Sequence, residues 1–146
     1  MTTKSRDAVL FLDFDGVLHA LDGAEDFRHV PLLATVIAPH AVDLVITSSW
    51  KIGYALDEMV ERLGPVLGAR VVGITPEVRP FASGYRQREV EAWQEASHRR
   101  TAHWLALDDD PQLFDPDCPN LLLCDGRTGF TEQDALKLTD WLKMAR

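Results

Sequence analysis

Three places in the sequence set acidic or hydroxyl side chains directly after an apolar run. Asp13-Phe14-Asp15-Gly16 follows Ala8–Leu12, Thr47-Ser48-Ser49 follows residues 44–46, and Asp108-Asp109-Asp110 follows residues 103–107. If each run is a strand, residues i and i+2 at its end point the same way, so Asp13 and Asp15 can face one site. Carboxylates that converge in this way raise one another's pKa unless a counter-ion is present. A hard divalent cation meets that need. Oxygen donors without His or Cys at these ends favour Mg2+ over Zn2+. Gly16 allows a sharp turn immediately after the pair. Asp-x-Asp-Gly on its own is equally a solvated turn. What weighs against that bland reading is the buried run before it and the second acidic pair far along the chain.

The elements that must position these groups can be read from patterning. Ala8–Leu12, residues 44–46, the VVGI within residues 69–74, residues 103–107 and 121–124 are short apolar runs, the pattern of strands buried on both faces of a parallel sheet. Helical patterns lie between and after them. Residues 31–40 open with proline. Residues 54–63 place Leu56, Met59, Val60 and Leu63 on one stripe. Residues 87–99 turn Val90 and Trp93 inward. Residues 131–144 put Ala135, Leu138 and Leu142 on one face, with Thr131 and Asp134 as a capping pair. Gly and Pro cluster at turns, around Gly64-Pro65, residues 76–80 and 111–119. Strands alternating with helices predict a three-layer, Rossmann-like α/β fold around a parallel sheet of about five strands. In such a sheet ligands bind at the carboxyl ends of the strands, where the acids and hydroxyls fall. A single domain over residues 1–146 is the simplest expectation.

Composition narrows the classes. With 46% hydrophobic and 26% charged residues, the chain has ordinary globular composition. Its net charge of −8 argues against a broad nucleic-acid-binding face, though a local basic pocket remains open. Two cysteines, Cys118 and Cys124, are too few for a disulfide framework or a zinc site. No signal-peptide pattern opens the chain, and no apolar run reaches the roughly 20 residues of a membrane span. A cytoplasmic protein with no membrane contact is the expectation.

The segment from Phe11 to Leu18, FLDFDGVL, resembles the first signature of the haloacid dehalogenase (HAD) superfamily. Val45-Ile46-Thr47-Ser48 resembles its second, and Leu105-Ala106-Leu107-Asp108-Asp109 its fourth. Their order and spacing fit over almost the whole chain. The resemblance implies a Mg2+-dependent phosphatase. Asp13 would attack phosphorus and form an aspartyl-phosphate. Asp15 would protonate the leaving oxygen and later deprotonate water. Thr47 would hydrogen-bond a phosphoryl oxygen, with Ser48 and Gly16 also at the substrate. The metal set would be Asp13, Asp15 through its main-chain carbonyl, and Asp108 or Asp109. Asp15 resembles the second acid of phosphatases and phosphomutases, which true dehalogenases lack. The third signature supplies a Lys or Arg before strand four. No Lys lies between Lys51 and Lys137, so Arg79, Arg86 and Arg88 are the candidates. Arg86 is preferred because Arg86-Gln87-Arg88-Glu89-Val90 resembles an Arg-x-x-Glu-aliphatic pattern in small family members.

The stretches between Asp15 and Thr47 and between Thr47 and Arg86 are too short for the cap domain of larger members. Capless members act on large substrates, such as phosphoproteins or nucleic-acid ends, or on small ones with an oligomeric partner. Ser49-Trp50 and Gly129-Phe130-Thr131 complete a pattern similar to the HAD domain of bacterial RNA-repair proteins, which implies a terminal phosphate on nucleic acid, against the pull of the net charge. Residues 18–30 would be a short flap, with His19 and His29 expected as exposed loop histidines. The four tryptophans are expected to pack the core or its rim, with Trp50 closest to the site. Three other readings compete. A signalling receiver domain would order its acids differently and need a Lys. A non-catalytic domain would bind metal without turnover. A phosphomutase would need a cap.

Overall fold

The computed structural model describes residues 8–22, 26–100 and 103–144. Five strands, β1 (Ala8–Leu12), β2 (Val42–Ile46), β3 (Val71–Ile74), β4 (His103–Asp108) and β5 (Leu121–Leu123), form one sheet in the order β3-β2-β1-β4-β5. Every pairing is parallel. Leu12 stands beside Ile46 on one side and Leu107 on the other. The four helices are α1 (Val30–Ile37), α2 (Leu56–Gly68), α3 (Tyr85–Ser97) and α4 (Glu132–Met144). This is the α/β arrangement expected from the sequence.

The alternation of side chains along β1 divides the core in two. Ala8, Leu10 and Leu12 face α1, α2 and α4, meeting Leu33, Ile37, Met59, Leu63, Leu138 and Leu142. Val9 and Phe11 face the other way, onto Val90 of α3, with Trp93 and Trp104 edge-on to Phe11. Three helices thus cover one face and one covers the other. Truncating a fully buried leucine such as Leu10 to alanine costs about 2–5 kcal/mol.

Several local expectations are corrected. Burial on both faces holds through β1 and β2, but the edge strands are open, with Val72 48% and Leu123 47% exposed. Strand β2 begins at Val42, earlier than its apolar run, because buried Asp43 is paired with Arg99 at 2.8 Å. The helix expected over 54–63 starts at Leu56 and continues past Gly64, where φ 79° and ψ 176° make a kink that Pro65 follows. Its buried stripe is therefore Met59, Leu63 and Leu67, and Leu56 is exposed. Helix α4 is capped as expected. The Thr131 N–H donates to Asp134 Oδ2 (3.0 Å), and the Asp134 N–H donates to Thr131 Oγ1 (3.3 Å).

Among the described residues, no insert large enough for a cap separates β1 from α1 or β3 from α3. Nor, among these residues, is any helix long and apolar enough to cross a membrane.

Candidate active site

The chain runs from β1 to β2 on one side of the sheet and reaches β4 on the other, so β1 and β4 flank the point where strand order reverses. That is where a crevice opens in doubly wound sheets. Sheet bonding continues past the strand ends there. The Asp13 N–H donates to Leu107 O (3.1 Å), Thr47 N–H to Leu12 O (3.0 Å) and Thr75 N–H to Ile46 O (3.0 Å). Asp13, Thr47 and Asp108 are consequently held on the rigid rim of the sheet, and all three are buried.

Asp13, Asp108 and Asp109 each offer an oxygen to a group whose atoms lie within 4.8 Å of one another. Asp109 fits because two glycines make room. A Cβ on Gly16 would overlap its carboxylate, and one on Gly126 would stand 2.7 Å from its Oδ2. Gly16 also has φ +79°, which favours glycine in itself. Asp108 Oδ1 accepts the Asp109 and Asp110 N–H groups at 2.8 and 3.1 Å, but its buried Oδ2 has no hydrogen-bond partner. Asp110 caps the turn Pro111–Leu113 and lies outside the three-acid group.

The electrostatics reflect this crowding. Burial, then the Asp108 charge, pushes Asp13 well above the usual carboxylate range, and Arg86 opposes the rise. Burial raises Asp108 to about 7 against the pull of Arg86. Burial raises Asp109 too, while hydrogen bonds, including one from Asp13, hold it back. Two buried acids and a half-buried third, all resisting ionisation and one with an orphaned oxygen, fit a hard divalent cation.

Of the three candidate arginines, Arg86 alone reaches this group. It is buried, with Nη1 3.9 Å from Asp13 Oδ1 and Nε 3.9 Å from Asp108 Oδ2, and it donates to Thr47 O. Arg79 pairs with Glu77 over the ring of Phe81. Arg88 pairs with Asp115 and Glu91 on an exposed face. Ser48 is buried, and its Oγ accepts the Trp50 N–H at 3.2 Å, capping the turn Ser49–Ile52.

The Asp15 side chain stands apart from the triad, half-exposed. Trp50 Nε1 donates to both of its oxygens at 3.1 Å, and His19 Nε2 lies 2.7 Å from Oδ1. His19 is thus buried, at 3% exposure, rather than an exposed loop residue. It sits under a flap whose Phe27 packs edge-on against His19, Phe14 and Trp50. His29 is half-buried, its Nε2 2.6 Å from Thr128 O.

Two further residues escaped the sequence reading. Lys51 Nζ donates to Glu89 Oε1 (2.8 Å), Thr75 Oγ1 (3.0 Å) and Thr47 O (3.5 Å). Glu89 also accepts from the Val78 N–H and lies 3.8 Å from Arg86 Nε. This ion pair ties the loops after β2 and β3 to α3. The Arg-x-x-Glu spacing was the one available signal.

Residues 9–135 match the family described as the HAD domain in Swiss Army Knife RNA repair proteins. The chain belongs to this family. No curated protein and no solved structure matches it. The match covers the five strands of the HAD domain except the first residue of β1, together with the three acids and Arg86. At the level of the family, the function is phosphatase-type and typically metal-assisted.

Proposed function

We propose that this HAD domain is a Mg2+-dependent phosphomonoesterase that works through an aspartyl-phosphate on Asp13. The observation that carries this reading is the convergence of Asp13, Asp108, Asp109 and Arg86 at the strand-order reversal, with Asp15 two residues after Asp13 and its side chain held by donors of its own. Asp13, Asp108 or Asp109, and the main-chain carbonyl of Asp15 would hold the cation. When bound, it supplies charge neutralisation for the carboxylates and for the phosphoryl oxygens.

An Asp13 carboxylate oxygen attacks phosphorus, and the bond from phosphorus to the leaving oxygen breaks as Asp15 gives that oxygen a proton. Asp15, now a carboxylate, takes a proton from water. The water oxygen attacks phosphorus and the Asp13–phosphorus bond breaks, restoring both residues. Arg86 and Thr47 bind and orient the phosphoryl group, with the Ser48 and Gly16 backbone lining its seat. Catalysis of this kind is mostly positioning and charge stabilisation.

The substrate we favour is a phosphate at the end of a macromolecule, first of all a nucleic acid. Three things support it: the short flap in place of a cap, the family's association with RNA repair, and an aromatic stack beside Asp15. Trp50 and Tyr54 stack with centroids 4.7 Å apart, Tyr54 is 40% exposed, and the Arg62 guanidinium lies over both rings. The first test is hydrolysis of p-nitrophenyl phosphate with and without Mg2+, by the wild type and by Asp13→Asn, followed by a panel of terminally phosphorylated oligonucleotides. Mg2+-dependent release lost in the variant is expected. Release that survives Asp13→Asn would sink the nucleophile assignment.

A further inference from the structure

Resting on the reading of Asp15 as the acid and base, we infer that His19 and Trp50 are positioning residues that orient Asp15 so that its Oδ2 carries the transferred proton. A main-chain group fixes the tautomer of the His19 ring. The Phe27 N–H donates to His19 Nδ1 at 3.0 Å. A backbone amide can only donate, so Nδ1 is the acceptor and carries no proton. The ring proton is then on Nε2, which donates to Asp15 Oδ1 at 2.7 Å. Trp50 Nε1, a donor only, is shared between Oδ1 and Oδ2 at 3.1 Å each. Oδ1 therefore accepts from two donors, while Oδ2 accepts half of one and keeps a lone pair for a proton.

The surroundings keep this arrangement in place. Phe27 has φ +61°, a backbone state that a bulky residue seldom adopts, and it aims its N–H at the buried His19 ring. The Phe27, Phe14 and Trp50 rings pack edge-on around that point at 5.2–5.7 Å. Asp15 Oδ1 is thus fixed on the protein side by the flap and by the turn after β2. Rotation about the carboxylate's own bond, which would exchange the two oxygens, is opposed by both donors. The same oxygen then serves the leaving group in the first half-reaction and water in the second.

The test compares kcat/KM, which reports the first phosphoryl transfer, for p-nitrophenyl phosphate and ethyl phosphate. The nitrophenolate leaves without a proton, whereas ethoxide needs one. Asp15→Asn sets the scale, with an expected loss of about 100-fold or more on ethyl phosphate and little on the aryl ester. His19→Leu and Trp50→Phe are expected to show the same selectivity, at about 10–100-fold on ethyl phosphate. His19→Gln, whose amide can still donate to Oδ1, should recover part of it. Equal losses on both esters, or none, in the His19 and Trp50 variants while Asp15→Asn remains selective would overturn the positioning role. Unselective Asp15→Asn would instead overturn the reading of Asp15, and the inference with it. The tautomer is read independently of turnover by 15N NMR of the wild-type ring. A proton on Nε2 alone is expected, and one on Nδ1 would overturn the inference.

Discussion

The carboxylate of Asp109 lies against the bare Cα of Gly16, in space that no side chain could share. One residue supplies the turn after the first acidic pair, and its missing Cβ is what admits the third acid. Gly16→Ala should therefore do two things. The φ of +79° costs about 1 kcal/mol or more for alanine, so the melting temperature should fall by several degrees. Asp109 must also move, so a Mg2+ titration followed by activity should shift to higher concentration. An unchanged titration would show that Asp109 does not need that space.

Asp13→Asn should abolish turnover and, without metal, leave the fold intact or firmer. Burial and the Asp108 charge oppose ionisation of Asp13, so a neutral isostere removes a repulsion. Circular dichroism melts in a chelator, run beside the phosphatase assay, check both halves. A melting temperature clearly below wild type would contradict the electrostatic account.

Metal-free stability should fall as pH rises. The folded-state pKa of Asp108 lies near 7, above its unfolded value near 3.8, and Asp13 is raised as well. Between those limits the native state binds more protons than the unfolded state, so unfolding becomes easier with each step in pH. The stabilising contribution is whole below about pH 4 and is lost through about pH 7. Mg2+ should restore stability most at the alkaline end. Melts from pH 5 to pH 8, with Mg2+ and with a chelator, would show the two curves diverging upward in pH. Parallel curves would remove the triad as the metal site.

Arg86→Ala should cost about 3–5 kcal/mol in the metal-free protein, since it leaves buried carboxylates without their cation. It should also eliminate activity, and Arg86→Lys should recover only part, because a point charge cannot reproduce the fork. Arg79→Ala and Arg88→Ala should leave both properties close to wild type, as expected of exposed pairs. Loss of activity in either would reopen the assignment of the phosphate-binding base.

The strand ends were legible because a buried parallel strand has no polar residues until it stops. Asp13, Thr47 and Asp108 therefore announced themselves by where they interrupt apolar runs. The same rule hid Asp43, an acid inside a strand, since its partner Arg99 comes from the turn just past α3. Arg86 was legible through its Arg-x-x-Glu spacing. The same spacing contains Glu89, but its link to Lys51 was not legible, because it joins segments that only the folded sheet brings together. His19 looked like a loop histidine, and its burial depends on Phe27, whose backbone conformation no residue pattern encodes.

The amides of Asp13, Thr47 and Thr75 extend the sheet's hydrogen bonding into the site itself. The Asp13 and Thr47 amides bond to central strands and open only when those strands open, so these two residues belong to the last part of the molecule to yield. Opening confined to the peripheral helices leaves Asp13 and Asp108 in place on the sheet. Heating should then leave specific activity per folded molecule level until the cooperative transition, with amide exchange at Asp13 and Thr47 tracking global unfolding.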